Sequence, residues 1–66
     1  MIPLILRAIE VQRILSASRT ESYQIIREIK DSYPYSNKLK GSKIRTEDLA
    51  DAYDLNLERI DDVLKS

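Results

Sequence analysis

The sequence predicts an all-α fold, a small bundle of about four helices, and three observations carry that expectation. One glycine and two prolines in 66 residues leave too little punctuation for a hairpin-rich β protein. Apolar residues recur at three- and four-residue spacing in several segments, the period of a helix with one buried face. The core must be aliphatic, because Phe and Trp are absent and the aromatics are Tyr23, Tyr33, Tyr35 and Tyr53. A chain of this length buries only about 60% of the surface it exposes unfolded, so residues 1–66 should form a single domain around one modest core. With no cysteine, neither a disulfide framework nor a zinc site supplements that core.

Local signals place each element. A first helix is expected over residues 3–15, where Ile5, Leu6, Ile9, Ile14 and Leu15 fall near one face and Arg7, Glu10 and Arg13 on others. Pro3 suits the first helical turn, in which its missing N–H costs nothing. Ser16-Ala17-Ser18 interrupts the pattern. A second helix over residues 19–32 opens on Ser18-Arg19-Thr20-Glu21, the spacing of a capping box, and carries Ser22, Ile25, Ile26 and Ile29 on one stripe. It should stop before Pro34, which biases Tyr33 away from helical angles. Residues 33–45 read as a polar, basic loop around Gly41, with room for a short wing hairpin at residues 38–45 that turns Leu39 and Ile44 inward. Thr46 is expected to cap a third helix over residues 47–53, whose early Glu47 and Asp48 favour the positive helix end. Asn56 is expected to cap a fourth, over residues 57–64. The expected core is Ile9, Leu15, Ile25, Ile26, Ile29, Leu49, Tyr53, Ile60 and Leu64, with Tyr33 and Tyr35 covering one end.

The chain repeats itself weakly at a spacing of 38. Val11, Leu15, Ala17, Ser18, Ser22, Ile25 and Ile26 correspond to Leu49, Tyr53, Leu55, Asn56, Ile60, Val63 and Leu64. Each unit reads as a short helix, a three-residue turn, a polar N-cap and a second helix, so the bundle is expected to be built from helix-turn-helix units. The turn of the first spans residues 16–18.

Net charge is zero, but its distribution is uneven. Residues 1–45 carry nine Lys and Arg against four acids, whereas residues 46–66 carry two against seven. Such asymmetry suggests one side that faces a polyanion and one turned away from it. The second helix has the chemistry to read double-stranded DNA. With Ile25, Ile26 and Ile29 directed to the core, its outer surface presents Ser18, Arg19, Thr20, Tyr23, Gln24 and Arg27. Arginine pairs bidentately with guanine and glutamine with adenine in the major groove, while Ser18, Thr20 and the helix N-terminus suit phosphate. Lys38, Lys40 and Lys43, with Arg45, form a second basic cluster fitted to the phosphate backbone. The second repeat carries Asp61 and Asp62 where the first has Tyr23 and Gln24, and two carboxylates there would repel phosphate. The first unit is therefore the expected reader.

The stretch from Glu10 to Arg27 resembles the helix-turn-helix of small phage-excisionase and MerR-like DNA-binding domains. The matching residues are Glu10, Val11, Leu15, Ser18, Arg19, Tyr23, Ile25 and Ile26; beyond these 18 residues the likeness is one of layout, a basic loop or wing followed by a further helix. Gln12 stands where that family has a small residue, Ser16 where it has the turn glycine, and Ser22 where it has an apolar core residue. The resemblance implies double-stranded DNA as partner and a role as a small transcriptional regulator or excisionase-like factor of a phage or mobile element.

Other function classes find little footing. There is no His or Cys, and a core this small leaves little room for a desolvated pocket, so neither enzyme activity nor a cofactor or metal is expected. Asp61 and Asp62 are sequence neighbours and diverge by roughly 100° on a helix. The apolar opening, Ile2 to Leu6, is too short for a signal peptide and has no basic stretch before it, and no segment approaches the roughly 18–20 apolar residues of a membrane span. A cytoplasmic location is expected. Ile2, Leu4, Ile5 and Leu6 exceed what one short helix needs to bury, which points to a homodimer through that segment. The alternative to DNA binding is a protein–protein interaction module that uses the same helix-turn-helix fold.

Overall fold

The computed structural model describes residues 2–65. Their order is β1 (Ile5–Arg7), α1 (Ala8–Leu15), α2 (Arg19–Ser32), α3 (Pro34–Asn37), β2 (Lys43–Arg45), α4 (Thr46–Tyr53) and α5 (Leu57–Lys65). The four expected helices are present, but the fold is mostly helical and not all-α. The chain does not enter a helix at Pro3: β1 occupies residues 5–7 and α1 starts only at Ala8. No wing hairpin closes within residues 38–45. β2 instead pairs antiparallel with β1, in the register Ile5↔Arg45, Leu6↔Ile44 and Arg7↔Lys43. Period-two alternation explains the preference: extended backbone sends Leu6 and Ile44 to one face, where both reach 0% exposure, while their neighbours point the other way. A further short helix, α3, begins at Pro34, whose fixed φ suits a first turn after the extended Tyr33.

The core is Leu6, Val11, Ile26, Ile29, Ile44 and Leu49, with Leu15, Ile25, Tyr33 and Leu64 packed partly buried against it and Ile60 also enclosed. Three expected core or covering residues are not there. Ile9 is 55% exposed, because Val11 sets the buried face of α1 and a residue two positions away is turned by roughly 200°. Tyr53, at the end of α4, lines a surface groove with Glu28, Ile29 and Tyr33. Tyr35 lies on the surface, exposed. Thr46 is the first residue of α4 and not its cap: Arg45 holds that position without a side-chain bond. Buried Thr46 instead ties α4 to the N-terminal segment, its N–H donating to the Leu4 carbonyl at 3.0 Å and its hydroxyl to that of Pro3. Ser22, polar at an apolar position, is wholly enclosed and donates to the Arg19 carbonyl at 2.7 Å, which satisfies its hydroxyl.

The repeat seen in the sequence is a repeat of structure, and it reaches further back than the helices. β1, α1 and α2 begin at Ile5, Ala8 and Arg19; β2, α4 and α5 begin at Lys43, Thr46 and Leu57, each 38 positions later. The equivalent residues Leu6 and Ile44 face each other across the ribbon. An antiparallel pair of equivalent residues has a local two-fold axis between them, so the two strand–helix–helix units are related by an approximate dyad. Packing follows that symmetry, with α1 against α5 and α4 against α2.

Both turns close alike. Ser16 and Asp54, again 38 apart, adopt left-handed conformations at φ 53° and φ 51°. The following N–H groups, of Ala17 and Leu55, reach back to the carbonyls of Gln12 and Ala50 at 3.1 and 2.8 Å, the six-to-one bond of a Schellman ending. The second helix of each unit is then capped by a side chain, Ser18 Oγ accepting from Glu21 N and Asn56 Oδ1 from Glu58 N. A left-handed L-residue costs about 1–2 kcal/mol, less for Asp than for Ser, and glycine removes that cost at the expense of about 0.5–1 kcal/mol of added chain entropy. Ser16→Gly should therefore raise the thermal midpoint by a few degrees and Asp54→Gly by less; a lower midpoint for Ser16→Gly would contradict this account of the turn.

Candidate nucleic-acid interface

The outer face of α2 is set by what its inner face buries. Ser22, Ile26 and Ile29 fill the core side, leaving Thr20, Tyr23, Gln24 and Arg27 exposed. Ser18 is committed to the capping box: its hydroxyl accepts from Glu21 N at 3.1 Å, and its own N–H donates to Glu21 Oε1 at 3.2 Å. Hydrogen bonding with the Ser18 side chain, and then with its backbone, holds the Glu21 carboxyl below its ordinary value of 4.5. The carboxylate is therefore ionised at neutral pH, and its contribution to the helix start is lost as pH falls through that lowered value. The Arg19 guanidinium lies 6.0 Å from the ring centroid of Tyr23, which is 42% exposed, so the two present a joint cationic and aromatic surface.

The basic loop is pinned against the same helix. Half-buried Lys30 donates from Nζ to the carbonyls of Leu39 and Gly41, both at 2.6 Å, and Gly41 supplies the positive φ, 77°, that the bend requires. In the sequence Lys30 is one of the nine cations of residues 1–45; in the fold its charge is spent on loop carbonyls. The loop lysines separate into two groups. Lys38 lies 5.5 Å from the Tyr35 ring centroid, and Arg45, 4.9 Å from the same ring, also pairs with Glu47 at 2.6 Å. Lys40 and Lys43 line a different cleft, together with Arg7.

Helix and loop meet on one surface. Tyr23 and Arg27 line a shallow groove with Lys30, Asp31, Asn37, Gly41 and Ser42. Tyr23 also lines the adjoining groove with Arg7, Ile9, Ser42 and Lys43. Arg7 is the residue that sequence reasoning placed on a helix face; it belongs to this surface only because residues 5–7 are a strand. Three residues carry too little alternation to announce a strand, so no local signal could have found it.

The charge asymmetry deepens in three dimensions. Three acids of the second half are engaged within the fold. Asp48 is buried and accepts from Ser36 Oγ at 2.5 Å, and Asp51 accepts from the Tyr33 hydroxyl at 2.7 Å, a bond that raises the Tyr33 pKa. Asp61 pairs with Lys65 at 3.0 Å and is lowered by that bond. Among the described residues, by contrast, Arg27, Lys40 and Lys43 have neither a hydrogen bond to the side chain nor an ion pair. No group of three His, Cys, Asp or Glu among them could hold a metal ion, and no helix is long and apolar enough to cross a membrane.

Compared with known proteins, the chain matches no family model, no curated protein sequence and no solved structure.

If Lys30 holds the loop in place, Lys30→Met should keep the helical content while tryptic cleavage after Lys38, Lys40 and Lys43 accelerates several-fold. Unchanged cleavage would show that the loop is held by something else.

Proposed function

We propose that the protein binds double-stranded DNA, with the exposed face of α2 against the major groove and Lys40 of the loop and Lys43 at the start of β2 along the phosphate backbone. The role that fits this reading is that of a small transcriptional regulator or an excisionase-like factor of a phage or mobile element, in keeping with the MerR-like and excisionase-like pattern of Glu10 to Arg27. One observation carries it: the recognition-helix candidates Tyr23 and Arg27 and the loop around Gly41 line one groove, Tyr23 and Lys43 line the adjoining one, and among the described residues neither Arg27 nor Lys43 is in an ion pair. A polyanion laid across that surface would meet the helix and the loop together, which is how base contacts and phosphate contacts are combined in groove readers.

The side chains divide the work by their chemistry. Gln24 and Arg19 offer the paired donors and acceptors that match adenine and guanine edges. Lys40 and Lys43, on flexible stems, meet phosphate as point charges. Ser18, its hydroxyl engaged by the cap, contributes through the helix start it stabilises. Lys38, held over Tyr35, lines neither of the two grooves.

A salt titration against a selected duplex and a scrambled one tests this. Replacing Gln24 or Arg19 by Ala should remove about 1–3 kcal/mol of discrimination. Lys40→Ala and Lys43→Ala should weaken both duplexes alike and flatten the log–log salt slope by about 0.9 each, and Lys38→Ala should leave the slope unchanged. Absence of binding to any duplex at low salt would overturn the proposal.

A second reading, a protein–protein contact with another copy of this chain, is favoured by a groove of about 420 Å³ lined by Ile2, Leu4, Ile5, Leu39 and Leu57. Leu4 is 82% exposed there, although Leu6 is spent on the core. Light scattering at high micromolar concentration should show a dimer that Leu4→Lys reduces to monomer; a monomeric parent chain removes this reading.

A further inference from the structure

Arg7 and Lys43 stand directly opposite each other in the ribbon, and nothing among the described residues neutralises both. Because Leu6 and Ile44 take the inner face, Arg7 and Lys43 project outward as a cross-strand pair of like charge, an arrangement that destabilises a sheet. The Arg7 side chain is 69% exposed, and its Nε lies 3.7 Å from Glu10 Oε1, an oxygen already accepting from the Arg7 backbone N–H at 2.7 Å. Lys43 has no such partner. The pair stands at the edge of an open cleft of about 760 Å³ whose walls add Arg13, Lys40 and Lys65. The acids of that cleft are Glu10 and Asp61; Asp61 is met by Lys65 at 3.0 Å. Five cations against two carboxylates leave the concave site with a net positive charge that favours an anion, and a tetrahedral phosphodiester between Arg7 and Lys43 would turn their repulsion into shared attraction.

We infer that the outward face of the β1–β2 ribbon is a second contact site for the DNA backbone, with Arg7 and Lys43 as its phosphate ligands. This rests on the DNA-binding reading of α2 and extends its footprint. Continuity selects the source of the phosphate: Arg7 and Lys43 also line the groove that contains Tyr23, so a strand following α2 arrives at the ribbon without leaving the surface. The sheet thus has two functions, an apolar side that holds the core and a cationic side that the free protein keeps at a cost in stability.

The test pairs binding with stability. Arg7→Gln and Lys43→Gln are titrated against duplex DNA over a range of salt, and each free protein is melted. Each variant should flatten the log–log salt slope by about 0.9, while its thermal midpoint stays equal to or rises above that of the parent, because the repulsion is gone. Lys43→Arg should retain the parent slope. A residue with a merely structural role would lower the midpoint and leave the slope alone. If α2 variants change sequence preference and Lys43→Gln flattens the slope while Arg7→Gln keeps the full slope, this inference falls and the α2 reading, which already counts Lys43 among its phosphate contacts, stands. If the parent chain binds no duplex, both fall. If inorganic phosphate at constant ionic strength raises the midpoint of the parent but not of Arg7→Gln, and the DNA slope is unaffected, the site serves free phosphate and the assignment to DNA is overturned.

Discussion

The pairing of Leu6 with Ile44 is the contact on which the rest of the structure depends. It joins the two ends of the repeat, buries both side chains completely, and places a dyad between two strand–helix–helix units. Neither unit can enclose its own apolar face: α1 needs α5 as well as α2, and α4 needs α2. A chain of 66 residues has little surface to bury and no cross-link to supplement it, so interlocking two small units is an effective way to assemble one core.

The dyad is broken by chemistry. Backbone elements, left-handed turn residues and caps repeat at equivalent positions, but the side chains facing outward do not. The first unit shows Tyr23, Gln24 and Arg27 where the second shows Asp61, Asp62 and Lys65. Acids of the second unit are drawn into hydrogen bonds with Ser36 and Tyr33 and into pairs with Arg45 and Lys65, which stabilise the fold. Arg27 of α2, Lys40 of the loop and Lys43 of β2 are left to solvent. A neutral molecule thereby acquires one strongly polar direction, and the DNA-binding proposal draws on that segregation and not on net charge.

Much of the helical architecture was legible in the amino acids. The Ser18–Glu21 capping box, the Ile26 and Ile29 stripe and the stop at Tyr33-Pro34 are local effects, decided by groups within one or two turns of each other, and the structure contains all of them. So is the repeat, because turn and cap residues recur at fixed offsets from the buried positions. The candidate face of α2 followed from the same periodicity, whereas the separation of Lys38 from Lys40 and Lys43 depends on where Tyr35 and Arg45 lie in space.

What the sequence by itself determined, then, are features whose partners are near in the chain: the extent of α2, the start of α5, the two turns, the caps of α2 and α5 and the sign of each half. Tertiary structure alone decided that Ile5–Arg7 would be a strand, that Arg7 would face Lys43, and that Lys30 would hold the loop. Residues 2–6 could satisfy a helical pattern as readily as an extended one. The choice was made by Ile44, 38 residues away, whose enclosure with Leu6 requires both segments extended; a short strand has no stability until its partner supplies the other half of each hydrogen bond.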